Sequence, residues 1–477
     1  QPDLRIAKPM TRPLSTLLTD TRGNAALMTA FGMVTMLGFA GLAVDGFTAL
    51  MLRDKLQDAS DAAAFAAAKV MIQGDPVGDG RRLFDANFEA GYVGASITGV
   101  SIVGTPDDVV RVDASAEFPT QFMRFVGQNS LTVHAHSGVL RTNRAAEIAL
   151  VMDNTGSMRS GGKIDAMKAS AHDLVSILYG TEQIREDLWF SVVPYSATVN
   201  VGNARTAWLN PGDRVFMNPA SFGTTVWKGC VTARADGHDL DDATPASAPF
   251  TSFYWASDVD NVWPEIDERN EAQNNGTGPN LGCGPAITPL TRERATVDAA
   301  IDEMQPWHRG GTLGNLGLVW GWRTISPSWT GLWGSGELAS LPTTYDDPLI
   351  DKIVVMMTDG ENQFYDWPSH EPNNGVGPYG SDKTAYGRLH EFMPGASRSQ
   401  ARAEIDSRFA ASCQRMKDLG IELFTITFGS SPDSGTQALY RSCATSDDHY
   451  FHSPTNEMLA TAFRSIGQKL SSLRLIE

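Results

Sequence analysis

The sequence predicts an α/β fold with a doubly wound sheet, preceded by an N-terminal transmembrane helix and a small β-rich module. Two apolar runs, at 148–153 and 353–359, each end on an aspartate. Short apolar runs bounded by turn residues are typical of buried strands in parallel sheets. Amphipathic helical stretches lie between such runs, and residues 163–179 form the first of them. This alternation of strand and helix favours a doubly wound sheet.

The first of these runs is followed by oxygen-bearing side chains at alternate positions. Asp153 ends the run, and Thr155 and Ser157 come directly after it. Sheets of this class bind ligands just beyond the carboxyl ends of their strands. Magnesium prefers oxygen ligands and usually keeps waters or takes a ligand from a partner. One carboxylate with two hydroxyls would leave part of the ion's charge free to attract an anionic group.

Two later segments complete a known pattern. Thr312 follows Gly310-Gly311, and Asp359 ends the second apolar run. With these residues the chain resembles the von Willebrand factor A domains, whose metal-ion-dependent adhesion site is D-x-S/T-x-S, then a threonine, then an aspartate. The matching positions are Asp153, Thr155, Ser157, Thr312 and Asp359. The resemblance implies a Rossmann-like domain that holds Mg²⁺, or Mn²⁺ or Ca²⁺, and accepts an acidic residue of a protein partner.

Asp153 and its surroundings allow two other interpretations. The two aspartates could simply cap the turns that follow their strands, but both strand ends would then have acquired the pattern independently. An aspartic-protease signature would read D-T-G. Here Asn154 separates Asp153 from Thr155, and no second D-T-G occurs. The metal site is therefore the preferred interpretation.

Length, charge and cysteine content limit the possible classes. A chain of 477 residues predicts two or more domains. The net charge of −17 argues against nucleic acid as a partner. Four cysteines allow three pairings, and no C-x-x-C spacing suggests zinc or a thioredoxin-like motif.

The N-terminal region predicts a membrane anchor. Residues 1–24 form a polar tail, and 25–44 run without a charge for about one bilayer thickness of helix. The basic flank on the amino side predicts a cytoplasmic N-terminus and an exported remainder. A cleaved secretory signal is the alternative, but the run is long and no cleavage site follows it directly. A prepilin cut after Gly23 would normally have glutamate at the fifth following residue, where this chain has Met28.

Residues 45–75 continue as an alanine-rich helical extension. It could extend into solvent, or its small residues could pack against other membrane-anchored partners. Over 22–72 the chain resembles TadG-type proteins of the tight-adherence (Flp) pilus system, through R-G-N at 22–24, L-A-V-D at 42–45 and L-Q-D-A-S-D-A-A-A at 56–64. Segments near the C-terminus, F-T-I-T-F-G at 424–429 and L-S-S-L-R-L at 470–475, resemble the same family.

The rest of the chain divides into two regions. Residues 76–142 are predicted to be a β-rich spacer with strands at 96–103, 109–116 and 130–141 and a short helix at 119–126. Residues 143–477 form the A-type domain, with insertions at 196–290 and 361–397. An acidic run at 236–242 could bind calcium, but we favour a solvated loop because it lacks EF-hand spacing. Ser453-Pro454 is predicted to start the final helix.

The TadG resemblance implies an inner-membrane protein of a Gram-negative bacterium, with its bulk in the periplasm or extending to the outer membrane or cell surface. In that oxidising compartment we predict disulfides Cys413–Cys443 and Cys230–Cys283, with buried free thiols as the alternative.

Three functions follow from these features. The leading hypothesis is a non-enzymatic pilus assembly or adhesion protein that docks other pilus proteins through its metal. The second is a structural, minor pseudopilin-like subunit with an inert A-type domain. The third is a metal-dependent hydrolase, for which no nearby His/Glu pair or Ser-His-Asp set is evident. His308, close in sequence to Thr312, is the histidine to test.

Overall fold

The computed structural model describes residues 21–70, 75–104, 109–140, 145–216, 222–258, 261–263, 265–268, 276–347, 349–365, 381–471 and 474–476. Most of the predicted tail, the end of the helical extension and the middle of the second insertion lie outside these residues. The chain forms two compact units, residues 1–141 with 474–477, and residues 142–473. We predicted a boundary near 143; the division falls after 141, and residues 474–477 belong to the first unit.

The first unit combines two helices with an antiparallel sheet. Its elements are α1 (Thr21–Val70), α2 (Pro76–Asn87), β1 (Ser96–Gly104), β2 (Val109–Pro119) and β3 (Ser130–Leu140). The strands lie in the order β1-β2-β3, and the C-terminal strand Arg474–Ile476 pairs with the free edge of β3. The three predicted strands are present, whereas the predicted helix at 119–126 is only a 3₁₀ turn, Met123–Val126.

The first half of α1 is apolar and exposed. By length and composition, the helix could cross a membrane. Met28, Phe31 and Met36 are each more than 70% exposed. A row of large apolar side chains in water is unfavourable, so this surface is suited to lipid.

The second half of α1 corrects our prediction for residues 45–75. Its small and apolar side chains neither project into solvent nor form a free packing seam, because they pack on the sheet and on α2 of the same unit. Leu52, Leu56, Ala59, Ala63 and Ala67 are fully buried in this core. Alanines let the helix approach the sheet closely, which explains why this face is so rich in them.

The second unit is built around one large sheet flanked by helices. Its elements are β4 (Ala145–Asp153), α3 (Lys163–Tyr179), β5 (Leu188–Tyr195), β6 (Val199–Asn200), α4 (Pro211–Phe216), β7 (Cys230–Val231), β8 (Thr288–Thr291), α5 (Arg294–Asp302), β9 (Gly311–Thr312), α6 (Gly314–Ile325), β10 (Ile350–Thr358), β11 (Gln363–Phe364), α7 (Leu389–Phe392), α8 (Arg398–Asp418), β12 (Glu422–Phe428), α9 (Ser434–Cys443), β13 (Tyr450–Ser453) and α10 (Asn456–Leu470). The final strand, Arg474–Ile476, is β14.

The strand order confirms the predicted doubly wound α/β fold. The sheet runs β13-β12-β10-β4-β5-β8. Only β8 is antiparallel to its neighbour, and the other pairs are parallel. Numbered along the chain, this is the order 3-2-1-4-5-6 of Rossmann-type sheets, with the winding reversing between β4 and β10.

Helices cover both faces of this sheet. One apolar core lies between the sheet and α3, α5 and α10. The other lies between the sheet and α6, α8 and α9, and it includes Trp320, Trp322, Trp329 and Trp333. The final helix differs from prediction, because its N-cap is Thr455, whose hydroxyl accepts from the backbone N–H of Met458.

Two disulfides are present, with the predicted pairings. Cys230–Cys283 links β7 to a later part of the first insertion, and Cys413–Cys443 joins α8 to α9. The prediction that the acidic run at 236–242 is a solvated loop is wrong for Asp239. Asp239 is buried and accepts hydrogen bonds from Tyr386 and Arg408. Buried carboxylates need such partners, which distant parts of the chain supply.

Candidate metal centre

The two predicted aspartates meet at the point where the sheet reverses its winding. Asp153 is the last residue of β4, and Asp359 directly follows β10. The two strands are neighbours in the sheet and pair in parallel. Both carboxylates are fully buried. In open α/β sheets this crevice, beyond the carboxyl ends of the strands, is where ligands bind.

Both oxygens of Asp153 accept hydrogen bonds from within the fold. Oδ1 accepts from the backbone N–H of Thr155 at 2.8 Å and from its hydroxyl at 2.6 Å. Oδ2 accepts from the hydroxyl of Thr358 at 2.9 Å, the phenol of Tyr195 at 3.3 Å and the N–H of Asp359 at 3.3 Å. Asp153 therefore fixes both the loop after β4 and the end of β10.

A continuous hydrogen-bonded chain leads from Asp153 to Asp359. The hydroxyls of Thr155 and Ser157 are 3.0 Å apart, and Ser157 donates to Oδ1 of Asp359 at 2.5 Å. The second oxygen of Asp359 lies 2.7 Å from the ammonium of Lys163. Four of the five predicted residues are thus joined, and the sequence analysis missed Lys163. Its position at the start of α3, directly after the metal loop, was the available signal.

Thr312 comes to the same place on a two-residue strand. β9 pairs antiparallel with β11, so that Thr312 lies opposite Gln363. Gly311 has a φ of 107°, and a Cβ there would come within 2.2 Å of the carbonyl oxygen of Gln363. Only glycine permits this close approach. The Gly-Gly-Thr segment is therefore a local requirement for placing the third hydroxyl.

The segment that carries Thr312 is anchored by a buried ion pair. Asp382, in the second insertion, accepts two hydrogen bonds of 2.7 Å from Arg309 and one of 3.2 Å from the N–H of Gly310. The guanidinium of Arg309 also lies 4.8 Å from the ring of Trp255 in the first insertion. Both insertions thus take part in building the site, a role that sequence reasoning did not assign to them.

A cavity of about 260 Å³ opens in front of this cluster. It is lined by Thr155, Gly156, Ser157, His308, Gly311, Thr312, Gln363 and Tyr365. The hydroxyls of the predicted site thus belong to residues of the cavity wall, and the two carboxylates lie behind them. His308 is part of the wall, as its closeness to Thr312 in sequence suggested, whereas Gln363 and Tyr365 were not predicted.

The electrostatics of the cluster favour a cation. Burial, and then the negative charge of Asp359, raise the pKa of the Asp153 carboxyl from 3.8 to about 6, against the effect of hydrogen bonds from Thr155 and Thr358. A buried carboxylate pair is costly unless positive charge compensates it. Lys163 supplies one such charge, and a divalent ion in front of the hydroxyls would supply more.

The donor set fits a hard divalent ion. All five predicted residues offer oxygen, the ligand atom preferred by Mg²⁺, Mn²⁺ and Ca²⁺. Across the described residues, no group of three or more His, Cys, Asp and Glu side chains could hold a metal ion.

Residues 23–70 match the model of a family described as "Putative Flp pilus-assembly TadE/G-like". The match is confined to α1 and covers a small part of the chain. No curated protein matches the sequence significantly.

Among solved structures, the von Willebrand factor domain of the type V pili tip protein Mfa5 from Porphyromonas gingivalis is similar at 12% identity and a TM-score of 0.37, covering 69% of this chain and 95% of that one. The pilus adhesin SpaC from Lactobacillus rhamnosus GG is similar at 11% identity and a TM-score of 0.37, and the match covers 79% of this chain and 34% of SpaC. A third structure is that of proximal thread matrix protein 1 from the mussel byssus with a zinc-occupied MIDAS motif. It is similar at 13% identity and a TM-score of 0.31, and the match covers 70% of this chain and 48% of the mussel protein. These similarities are too distant to assign a function.

Proposed function

We propose that this chain is a membrane-anchored, non-enzymatic pilus assembly or adhesion protein. Its second unit would bind a divalent cation, with Mg²⁺ as the first choice and Mn²⁺ or Ca²⁺ as alternatives, at Asp153, Thr155, Ser157, Thr312 and Asp359. The observation that supports this most is the hydrogen-bonded chain from Asp153 to Asp359 behind a cavity lined by three hydroxyl residues. The match of residues 23–70 to a pilus-assembly family supports the setting.

The cation would serve to dock an acidic residue of another pilus protein. The cavity is partly open to solvent and is lined by the hydroxyl residues of the site, and a divalent ion held there keeps positive charge to offer. A carboxylate from a partner would complete its coordination as a charge-assisted contact. Docking would then depend on the metal, and partner release would follow its removal.

The anchor would be residues 25–44, with the N-terminus in the cytoplasm and the bulk of the chain in the periplasm or extending to the outer membrane or cell surface. The exposed apolar side chains of α1 support membrane insertion. The two disulfides support an oxidising compartment for the second unit.

Calorimetric titration of the purified chain with magnesium tests the site. Asp153→Asn is preferable to an alanine replacement, because the amide oxygen can still accept from Thr155 while the charge is removed. Asp447→Asn, at an exposed position in the same unit, is the matched control. We expect the first variant to lose magnesium binding and pilus-dependent adherence and the second to retain both. Unchanged magnesium binding in Asp153→Asn would refute the metal site.

A deletion can distinguish metal-dependent docking from the alternative of a structural subunit with an inert second unit. Removing 143–477 would also remove β14, which pairs with β3 of the first unit. A deletion of residues 142–473 that keeps this strand is therefore the appropriate variant. If it supports normal pili and adherence, the second unit is accessory and the docking function is wrong.

A metal-dependent hydrolase is the second candidate, and His308 in the cavity wall is the observation in its favour. A bound metal would supply an activated water there. Assays with phosphoester and peptide substrates, in the presence of magnesium, would reveal turnover. Loss of such turnover in His308→Ala with unchanged metal binding would support an enzyme.

A further inference from the structure

An exposed aromatic loop lies beside the end of the apolar half of α1. The loop joins β2 to β3 and contains the 3₁₀ turn Met123–Val126. Phe125 is 77% exposed and Phe122 is 39% exposed, and the guanidinium of Arg124 lies 5.2 Å from the Phe125 ring. Together with the exposed apolar side chains of α1, these rings form a contiguous apolar patch of the kind that marks a membrane or protein interaction site.

Two residues of α1 fix the position of this loop along the helix axis, which is called its height below. The carboxylate of Asp45 accepts hydrogen bonds from the N–H groups of Gln121, Phe122 and Met123, at 2.9, 2.9 and 2.7 Å. One turn earlier, Gly41 gives room for Phe122, because a Cβ there would come within 2.4 Å of that side chain. The loop is therefore held against α1 between positions 41 and 45.

That height coincides with the predicted boundary of the membrane. The apolar run of α1 ends at Val44, so Gly41 lies roughly 5 Å inside its end at 1.5 Å of helix rise per residue. Exposed apolar side chains continue just beyond it, at Phe47 and Leu50. The loop is thus continuous with a surface that already requires lipid.

We propose that the turn at 122–125 inserts into the headgroup region of the bilayer and fixes the first unit against the membrane surface. Phenylalanine side chains on membrane-bound surfaces bury their rings about 5–10 Å deep, at the boundary between headgroups and acyl chains. Arg124 would meet anionic lipid headgroups, whose phosphates attract basic residues near the surface. The proposal rests on the membrane anchor of the proposed function, and the occupant of the surface is lipid.

Site-specific fluorescence can test the proposal in the full chain. Both disulfides use all four native cysteines, so a single introduced cysteine can be labelled without reductant. Phe125→Cys reports on the loop, and Met36→Cys, at a 76% exposed position of the apolar run, reports on the anchor. Val103→Cys is the matched control, because Val103 is 53% exposed at the opposite end of the same sheet.

Each variant is labelled with a polarity-sensitive dye and reconstituted in vesicles of phosphatidylethanolamine and phosphatidylglycerol that contain spin-labelled lipid. We expect blue-shifted emission and strong quenching at 36, roughly half of that quenching at 125, and little at 103, because interfacial aromatic residues sit at headgroup level. Quenching at 36 with none at 125 would overturn the loop proposal alone. No quenching at 36 would overturn the anchor, and the loop proposal with it. A blue shift at 125 without lipid quenching would mean that protein covers the loop, and would also overturn the proposal.

Discussion

The ammonium group of Lys163 lies 2.7 Å from Oδ2 of Asp359, and this ion pair is almost closed to solvent. Asp359 is fully buried and only 15% of the Lys163 side chain is exposed. The lysine is the first residue of α3, directly after the loop that carries Thr155 and Ser157. A protein cation thus already neutralises one of the two carboxylates behind the candidate metal site. The other carboxylate, Asp153, accepts its hydrogen bonds from uncharged hydroxyl and backbone N–H groups.

Replacing Lys163 should make the protein depend more strongly on magnesium. Lys163→Met leaves Asp359 buried without its cation, which we expect to cost about 3–5 kcal/mol of unfolding free energy without metal. Magnesium should recover a larger part of stability in this variant than in the unmodified chain. All eleven tryptophans lie between 189 and 367, so their fluorescence reports the unfolding of the second unit.

The control for this experiment is Lys168→Met on the same helix, where the ammonium donates to the backbone oxygen of Asp302 in an exposed contact. If magnesium shifts the melting temperature of Lys163→Met and of the unmodified protein equally, Lys163 does not compensate for the missing ion.

Without metal, the second unit should lose stability as pH rises. Asp153 has a pKa of about 6 in the fold and an ordinary value of 3.8 when unfolded. The folded state therefore holds the proton more tightly, and ionisation between these values penalises folding. At 1.36 kcal/mol per pKa unit, the loss by pH 7 is about 3 kcal/mol.

Magnesium should oppose this loss, because it binds the ionised form and stabilises it increasingly above pH 6. Denaturant unfolding from pH 4 to 8, with and without magnesium, measures both effects. Asp153→Asn cannot ionise at this position. We therefore expect its unfolding free energy to change less with pH over this range, both with and without magnesium. A metal-free protein whose stability does not fall between pH 4 and 7 contradicts the assignment.

The Arg309–Asp382 pair should control magnesium affinity without touching the ion. Asp382→Ala removes the carboxylate that faces the buried guanidinium of Arg309 and also the acceptor of the Gly310 N–H, so we expect a loss of about 3–5 kcal/mol in stability and weaker magnesium binding. Replacing both partners by leucine should restore much of the stability, since hydrophobic pairs often substitute well for buried ion pairs. Magnesium affinity should remain low in the double variant. Full recovery of affinity there would mean that the ion pair does not position Thr312.

The disulfides should stabilise the second unit to similar extents. Cys230–Cys283 spans 53 residues and Cys413–Cys443 spans 30. Loop-closure entropy predicts that replacing either pair by serine costs about 4 kcal/mol, slightly more for the longer loop. Denaturant titration of the two double variants measures the difference. Alkylation of the unreduced chain, followed by mass mapping, should find no reactive cysteine, and four labelled cysteines would disprove both bridges.

Asp45 should protect the backbone of the loop between β2 and β3. In Asp45→Ala, three N–H groups lose their acceptor, so hydrogen exchange at residues 121–123 should accelerate strongly. Asp54→Ala, an exposed aspartate on the same helix, is the control. Peptide-level exchange measured by mass spectrometry distinguishes the two variants. Equal protection of residues 121–123 in both would mean that the hydrogen bonds to Asp45 do not hold the loop.

The sequence alone was sufficient for the sheet and for the identity of the candidate ligands. Apolar runs ending on Asp153 and Asp359 indicate buried strands, because a strand with both faces covered must be apolar along its length. The five-residue pattern then identified Thr312, although more than 150 residues separate it from Asp153. Local periodicity and a known motif contain this information without any knowledge of contacts.

The tertiary structure decided what surrounds and supports those ligands. Lys163 beside Asp359, Arg309 beside Asp382 and Asp45 beneath the loop at 121–123 join residues 73 to 196 positions apart. The packing of the alanine face of α1 on its own sheet, and of Asp239 on Tyr386 and Arg408, likewise came from the fold. A buried charge must find a partner wherever the chain brings one, and short-range patterns do not specify which distant residue that will be.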